Sequence, residues 1–134
     1  MTIKISTTIR NARLDQIETT IGTNAKLWIY SGAMPSSVTT AASGTKLVSI
    51  QCPSDWMAAA SAGSKAKSGT WSATATGTGT AGYWRLLNSG GTTVGMQGTV
   101  STSTGDLNLD NTSIASGQTV TINTFTLTDG NPSP

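Results

Sequence analysis

The sequence predicts a mainly β fold, an antiparallel β-sandwich or jelly-roll-like domain with one N-terminal α-helix. Three observations predict it. From Lys26 onward, apolar and polar residues alternate with a period of two, in about seven or eight short runs divided by Gly, Pro, Asn and Ser. Only 10% of residues are charged, against about 25% in an average protein, and Thr, Ser, Gly and Ala fill the difference. No β–α–β alternation is present to support a parallel sheet. At 134 residues, one domain is expected over 1–134: a helix or arm at 1–22, the sandwich at 23–128 and a flexible tail at 129–134.

The helix is expected over Thr7 to Ile21. Leu14, Ile17 and Ile21 share one face at helical spacing, Thr7 or Thr8 caps the start, and Gly22 ends it. Arg10, Asn11, Asp15 and Glu18 form the opposite, solvated face. Such a helix either closes one end of the β-domain or docks as an arm on a partner subunit.

KLWIYS (Lys26 to Ser31) reads as a strand apolar on both faces, as a central strand is. KLVSIQC (Lys46 to Cys52), TWSATAT (Thr70 to Thr76) and GYWRLLN (Gly82 to Asn88) follow. Pro53 to Gly69 stays open between a short helix, a loop and an irregular edge. Asn88-Ser89-Gly90-Gly91 marks a turn. TTVGMQGTV returns as a strand whose Gly95 and Gly98 point to a bulge or close backbone approach. DLNLDN (Asp106 to Asn111) is a short strand with Leu107 and Leu109 inward. In QTVTINTFTLT, Val120 and Ile122 have one parity while Phe125 and Leu127 have the other, which places a bulge near Asn123-Thr124.

Composition also limits function. Cys52 is the single cysteine, which excludes an internal disulfide and reads as a small buried hydrophobe. The first residues carry no apolar signal core, and no run approaches a membrane span, so a soluble protein made in a cytoplasm is expected. A net charge of +2 is too weak to argue for nucleic acid.

Histidine is absent, which removes Ser-His-Asp, Cys-His and His general acid–base chemistry. Asp106 and Asp110 lie about 13 Å apart if they share one strand face, too wide for either carboxylate arrangement of a glycosidase. Counting from Asp106, the positions that an EF-hand fills with Gly and Glu hold Asn111 and Gly117. Gly77-Thr78-Gly79-Thr80-Ala81-Gly82 spells G-x-G-x-x-G, but a strand follows it, so it reads as a flexible turn. Lys46, Lys65, Lys67 and Arg85 read as scattered surface charge. Trp71, Tyr83 and Trp84 serve a core or interface, or else a sugar platform. No catalytic, cofactor or metal residue is assigned, and the chain is not expected to be an enzyme.

Two stretches carry a family likeness. KLWIYSGAMPSS, and GYWRLLNSGGTTVGMQGTVSTSTGDLNLDNTSIASGQTVTINTFTLT, resemble a family of small tailed-bacteriophage virion proteins. The shared plan is an N-terminal helix, an L-x-I-Y-x-G-x-x-P strand and turn, a W-F-R-L-like strand, and a closing D-L-N-L-x-x-T-S-I-x-x-G-Q-T-V hairpin. This chain has Tyr83-Trp84 where the family has Trp then Phe. The resemblance implies a capsid decoration (cement) protein on the virion exterior, made in the host bacterial cytoplasm. Its implied partners are the major capsid protein and copies of itself, as dimer or trimer, with no nucleic acid and no membrane. The alternatives are a tail, tail-fibre or head–tail junction protein, or a host-glycan-binding module. Met1 to Arg13 and the loops around Pro35 and Pro53 are the expected contact segments.

Overall fold

The computed structural model describes residues 3–129, and the fold is mainly β with one N-terminal helix. Helix α1 spans Thr7–Ile21, as its period predicts, and Gly22 ends it with its N–H donating to Glu18 O. The start differs from expectation: Ser6, not Thr7 or Thr8, caps it, because the Ser6 side chain accepts from Ile9 N.

Strands β1 (Lys26–Ser31), β2 (Lys46–Gln51), β5 (Gly79–Leu87), β6 (Val94–Ser101) and β7 (Leu107–Asn108) form the main sheet in the order β2-β1-β5-β6-β7, with β8 (Ser113–Ile114) pairing β5. Strand β1 is central, as its two apolar faces require. Its partners run antiparallel on both sides, with Leu27 facing Ile50 in β2 and Leu86 in β5. One pair departs from the antiparallel expectation: β7 lies parallel to β6. The strand expected over Asp106 to Asn111 is correspondingly reduced to two residues, although Leu107 and Leu109 are buried as predicted.

The Gly-rich run is only in part a turn: Gly77 lies in a bend, and β5 already begins at Gly79. Register slips between Tyr30/Ser31 and their partners Tyr83/Ala81, which leaves Gly82 as the bulged residue. A Cβ on Gly82 would lie 1.9 Å from Gly32 O, so the backbone approach admits only glycine. The same logic fits β6. Gly95 is skipped where Leu86 and Leu87 face Met96 and Val94, and a Cβ on Gly98 would meet the Trp84 ring at 2.6 Å.

Two strand pairs complete the sandwich-like layering: β3 (Ser64–Ala66) with β10 (Thr126–Thr128), and β4 (Trp71–Thr74) with β9 (Thr119–Ile122). The chain leaves one pair for the other at 123–125. The single last strand expected there is therefore two strands, and the parity switch comes from this crossing and not from a bulge; Val120, Ile122 and Phe125 are all buried. Aromatic rings bridge the layers. Trp84 meets Phe125 edge-on at 5.2 Å, Phe125 meets Trp71 at 5.3 Å, and Trp71 meets Trp56 at 6.1 Å. The unassigned segment after Pro53 is an irregular hairpin, bridged at Met57–Lys67 and Ser61–Ser64.

The expected flexible tail starts one residue too early. Asp129 is buried, its N–H donates to Gly63 O, and its carboxylate meets Arg13 at 3.3 Å. The remainder, 130–134, lies outside the described residues, as do Met1 and Thr2.

Candidate interaction surface

The outer face of the sheet carries a connected polar network. Alternation in β1 and β5 sends Leu27, Ile29, Trp84 and Leu86 into the core, and turns Trp28, Tyr30, Tyr83 and Arg85 to the opposite face. The connection from β1 to β2, residues 32–45, folds back over that face. Three side chains hold it there. Tyr83 Oη donates to Ser43 O at 2.6 Å and accepts from Ser43 N at 3.0 Å. Arg85 donates to Thr40 O at 2.7 Å, to Ser37 O at 3.3 Å and to Gln97 Oε1 at 3.2 Å. Gln97 in turn donates to Pro35 O at 2.7 Å.

Arg85 is thus no surface charge. It is 4% exposed, and among the described residues it has no carboxylate within ion-pairing distance. Its charge is met by neutral oxygens, two of them loop carbonyls, which makes the loop's shape a condition of burying the guanidinium. Tyr30 stacks on Tyr83 at 5.0 Å with the rings 6° apart. Burial pushes its phenol above the usual tyrosine value, the neighbouring Tyr83 adds to this, and Arg85 opposes it.

Ser31 N donates to Thr45 O, and Thr45 N donates to Ser31 Oγ, both at 2.9 Å, closing the base of the loop. Ser43 Oγ crosses it to Ala33 O at 3.1 Å. The loop exposes Met34, one of three large hydrophobic residues left to solvent with Ile3 and Ile9 among the described residues.

The helix docks through more than its expected apolar face. The face expected to be solvated also makes contacts. Asn11 Oδ1 accepts from Gly63 N at 2.9 Å, Asp15 Oδ1 from Ala60 N at 2.9 Å, and Glu18 Oε1 from Met57 N at 3.2 Å. Three acceptors at i, i+4 and i+7 therefore read three hairpin N–H groups spaced three residues apart. Arg10 is buried and donates to Asp129 O at 3.0 Å. Lys65 is also buried, and donates to Asp15, Glu18 and Ala58 O at 2.7, 2.9 and 2.9 Å. Of the expected apolar stripe, Leu14 is buried and Ile21 packs on the core. Ile17 lines an open groove of about 450 Å³ with Gly95 and Met96.

Of the expected contact segments, the loop around Pro35 lies over the outer sheet face, where the Pro35 carbonyl accepts from Gln97, and Pro53 follows the end of β2. Pro53 belongs to the end where Trp56 Nε1 donates to Gly22 O. Trp71, Tyr83 and Trp84 are buried, which removes them as a sugar platform. Lys46 lies over the half-buried Trp28 at 4.0 Å, and Lys67 sits 5.7 Å from the Trp71 ring. Asp106 turns back to accept from Thr99 N and Oγ1 at 2.9 and 3.0 Å. Cys52 is buried as predicted, and desolvation pushes its thiol up to about 12. No helix among the described residues is long and apolar enough to cross a membrane. The chain matches no protein-family model, no curated protein and no solved structure.

Proposed function

We propose that the chain is a structural protein of a tailed-bacteriophage virion. It binds the outer capsid lattice as a homo-oligomer and stabilises the head, with the major capsid protein as its partner. The observation that supports this reading most is the braced 32–45 loop. Tyr83, Arg85 and Gln97 fix its backbone before any partner arrives, so docking through Met34 and the loop's uncharged Ser/Thr surface costs little ordering entropy. A protein that binds only the assembled lattice stabilises it by mass action, and several copies joined together add avidity.

Purified protein mixed with undecorated heads is expected to co-sediment in lattice stoichiometry. A Met34→Asp variant, exposed and outside the core, is expected to fold normally and bind more weakly. Binding to tails alone would replace this reading with a tail or junction role, and loss of particle binding altogether would overturn it.

A further inference from the structure

We propose that the N-terminal arm of one copy, residues 3–6, lies as an added strand in the slot between β10 and β6 of a second copy, so that neighbouring subunits are joined by exchanged arms. The slot is about 320 Å³ and opens between the two layers of the fold, with Trp84, Met96, Phe125 and Leu127 as its apolar lining. Trp84 is buried there, and its indole N–H has no partner among the described residues. A main-chain carbonyl of an occupant is the kind of acceptor it lacks.

One wall of the slot is an unpaired strand edge. Lys67 N donates to Phe125 O at 2.8 Å and Asp129 N donates to Gly63 O at 3.0 Å, which fixes the phase of the ladder between β10 and β3. The backbone groups of Phe125 and Leu127 therefore face β3, and those of Thr126 and Thr128 face away. The N–H and C=O groups of these two threonines have no backbone partner among the described residues, and both residues are exposed. Among the described elements, only β3 packs closely on β10. The other wall is β6, which β7 covers only at Val100 and Ser101, so that no strand pairs it at Met96 and Gln97 on this side. A slot walled on both sides admits a single extended segment, and not the edge of a whole domain.

The arm has the matching pattern. Ile3-Lys4-Ile5-Ser6 alternates apolar and polar at the period of a strand, and Ser6 is extended at φ −62° and ψ 152°. Four extended residues span roughly 13 Å, enough to run the length of the three-residue β10. Phe125 and Leu127 pack inward while Thr126 and Thr128 face solvent. An added strand in step with β10 turns Ile3 and Ile5 inward over the apolar lining, and Lys4 outward. Within one chain the arm leaves Ile3 66% exposed and outside the slot. Charge agrees with the fit: Asp106, an exposed carboxylate on the slot, and Lys4 are each without an ion pair among the described residues. Arm exchange supplies the homo-oligomer of the virion reading and rests on that reading for its role. A contact this short gives a concentration-dependent assembly that strengthens when many copies sit on one lattice.

Sedimentation velocity over a concentration series, with no capsid present, tests the contact separately from the virion reading. The expected result is a reversible oligomer, abolished in Ile3→Asp, which alters an exposed side chain outside the core and puts a charge where the arm must bury. Amide exchange on the unaltered protein provides a second readout: Thr126 and Thr128 are expected to gain protection as concentration rises. A monomer at the highest soluble concentration, an oligomer that persists in folded Ile3→Asp, or exchange at Thr126 and Thr128 independent of concentration would each overturn the proposal. A monomer that still decorates heads would overturn the arm exchange and leave the virion reading standing, whereas an arm-dependent oligomer that ignores heads would do the reverse.

Discussion

The ammonium of Lys65 lies 2.7 Å from Asp15 Oδ1, and the pair ties the helix to the β-domain across 50 residues of chain. Lys65 is 2% exposed and also touches Glu18, so the cation is buried only because the helix supplies its counter-charges. Lys65→Met is expected to leave the β-domain folded and the helix loosened, because two neighbouring carboxylates lose their common cation. Amide exchange reads this directly: protection falls in 7–21 and stays in β1 and β5. Equal loss in both would contradict it.

The same contact sets a pH window. The Lys65 hydrogen bond, then the Ala60 N–H, holds Asp15 below its ordinary 3.8, so its contribution is present above that value and is lost as pH falls through the lowered one. Burial pushes Lys65 down, but hydrogen bonds to Asp15 and Glu18 outweigh it and leave Lys65 above 10.5. Its contribution is therefore complete below 10.5 and lost as pH rises through the raised value. Helix protection is expected to stay level between these limits and to fall outside them. A transition near neutral pH in an exchange-against-pH series would refute the assignment.

Arg85→Met is expected to cost about 1–3 kcal/mol, because partly buried carbonyls of the 32–45 loop lose their donor. Limited proteolysis should then cut within 33–44 while the core resists. Lysine at this position is expected to rescue poorly, since one ammonium cannot reproduce the guanidinium's spread of donors. An uncut loop in either variant would show that Tyr83 and Gln97 suffice.

Gly98→Ala is expected to destabilise the fold by about 1–3 kcal/mol, through the clash with the Trp84 ring. Gly90→Ala is its control, since a Cβ there comes no nearer than 3.7 Å to Thr92, and it is expected within about ±0.5 kcal/mol of the parent. Urea unfolding of both separates close approach from a general cost of replacing glycine.

Cys52 is expected to resist thiol reagents at neutral pH in the folded chain and to react once unfolded, because burial keeps it protonated. Rapid native labelling would show that its surroundings open.

Much of the fold is legible in the sequence, because local patterns encode it. The 3.6 period and Gly22 bound the helix, and the parity switch at Asn123-Thr124 marks where the chain changes partners. The candidate surface was legible only in part. Asn11, Asp15 and Glu18 have the spacing of a buried stripe, yet their polar side chains read as solvated. Their partners, the N–H groups of Gly63, Ala60 and Met57, lie 52, 45 and 39 positions on. Arg85 and Lys65 were misplaced for the same reason. A charge looks exposed until the long-range acceptors that bury it are known, and no local pattern announces them. The repeated spacing of acceptors on α1 was the one signal that could have exposed the docking face.

The most direct test of the virion assignment is cryo-electron microscopy of intact particles containing the chain, asking where each copy sits and which surface it turns inward. The account predicts density at regular lattice positions on the head, with the 32–45 loop against the major capsid protein. Density confined to the tail or a vertex, or a loop facing solvent at every position, would contradict it.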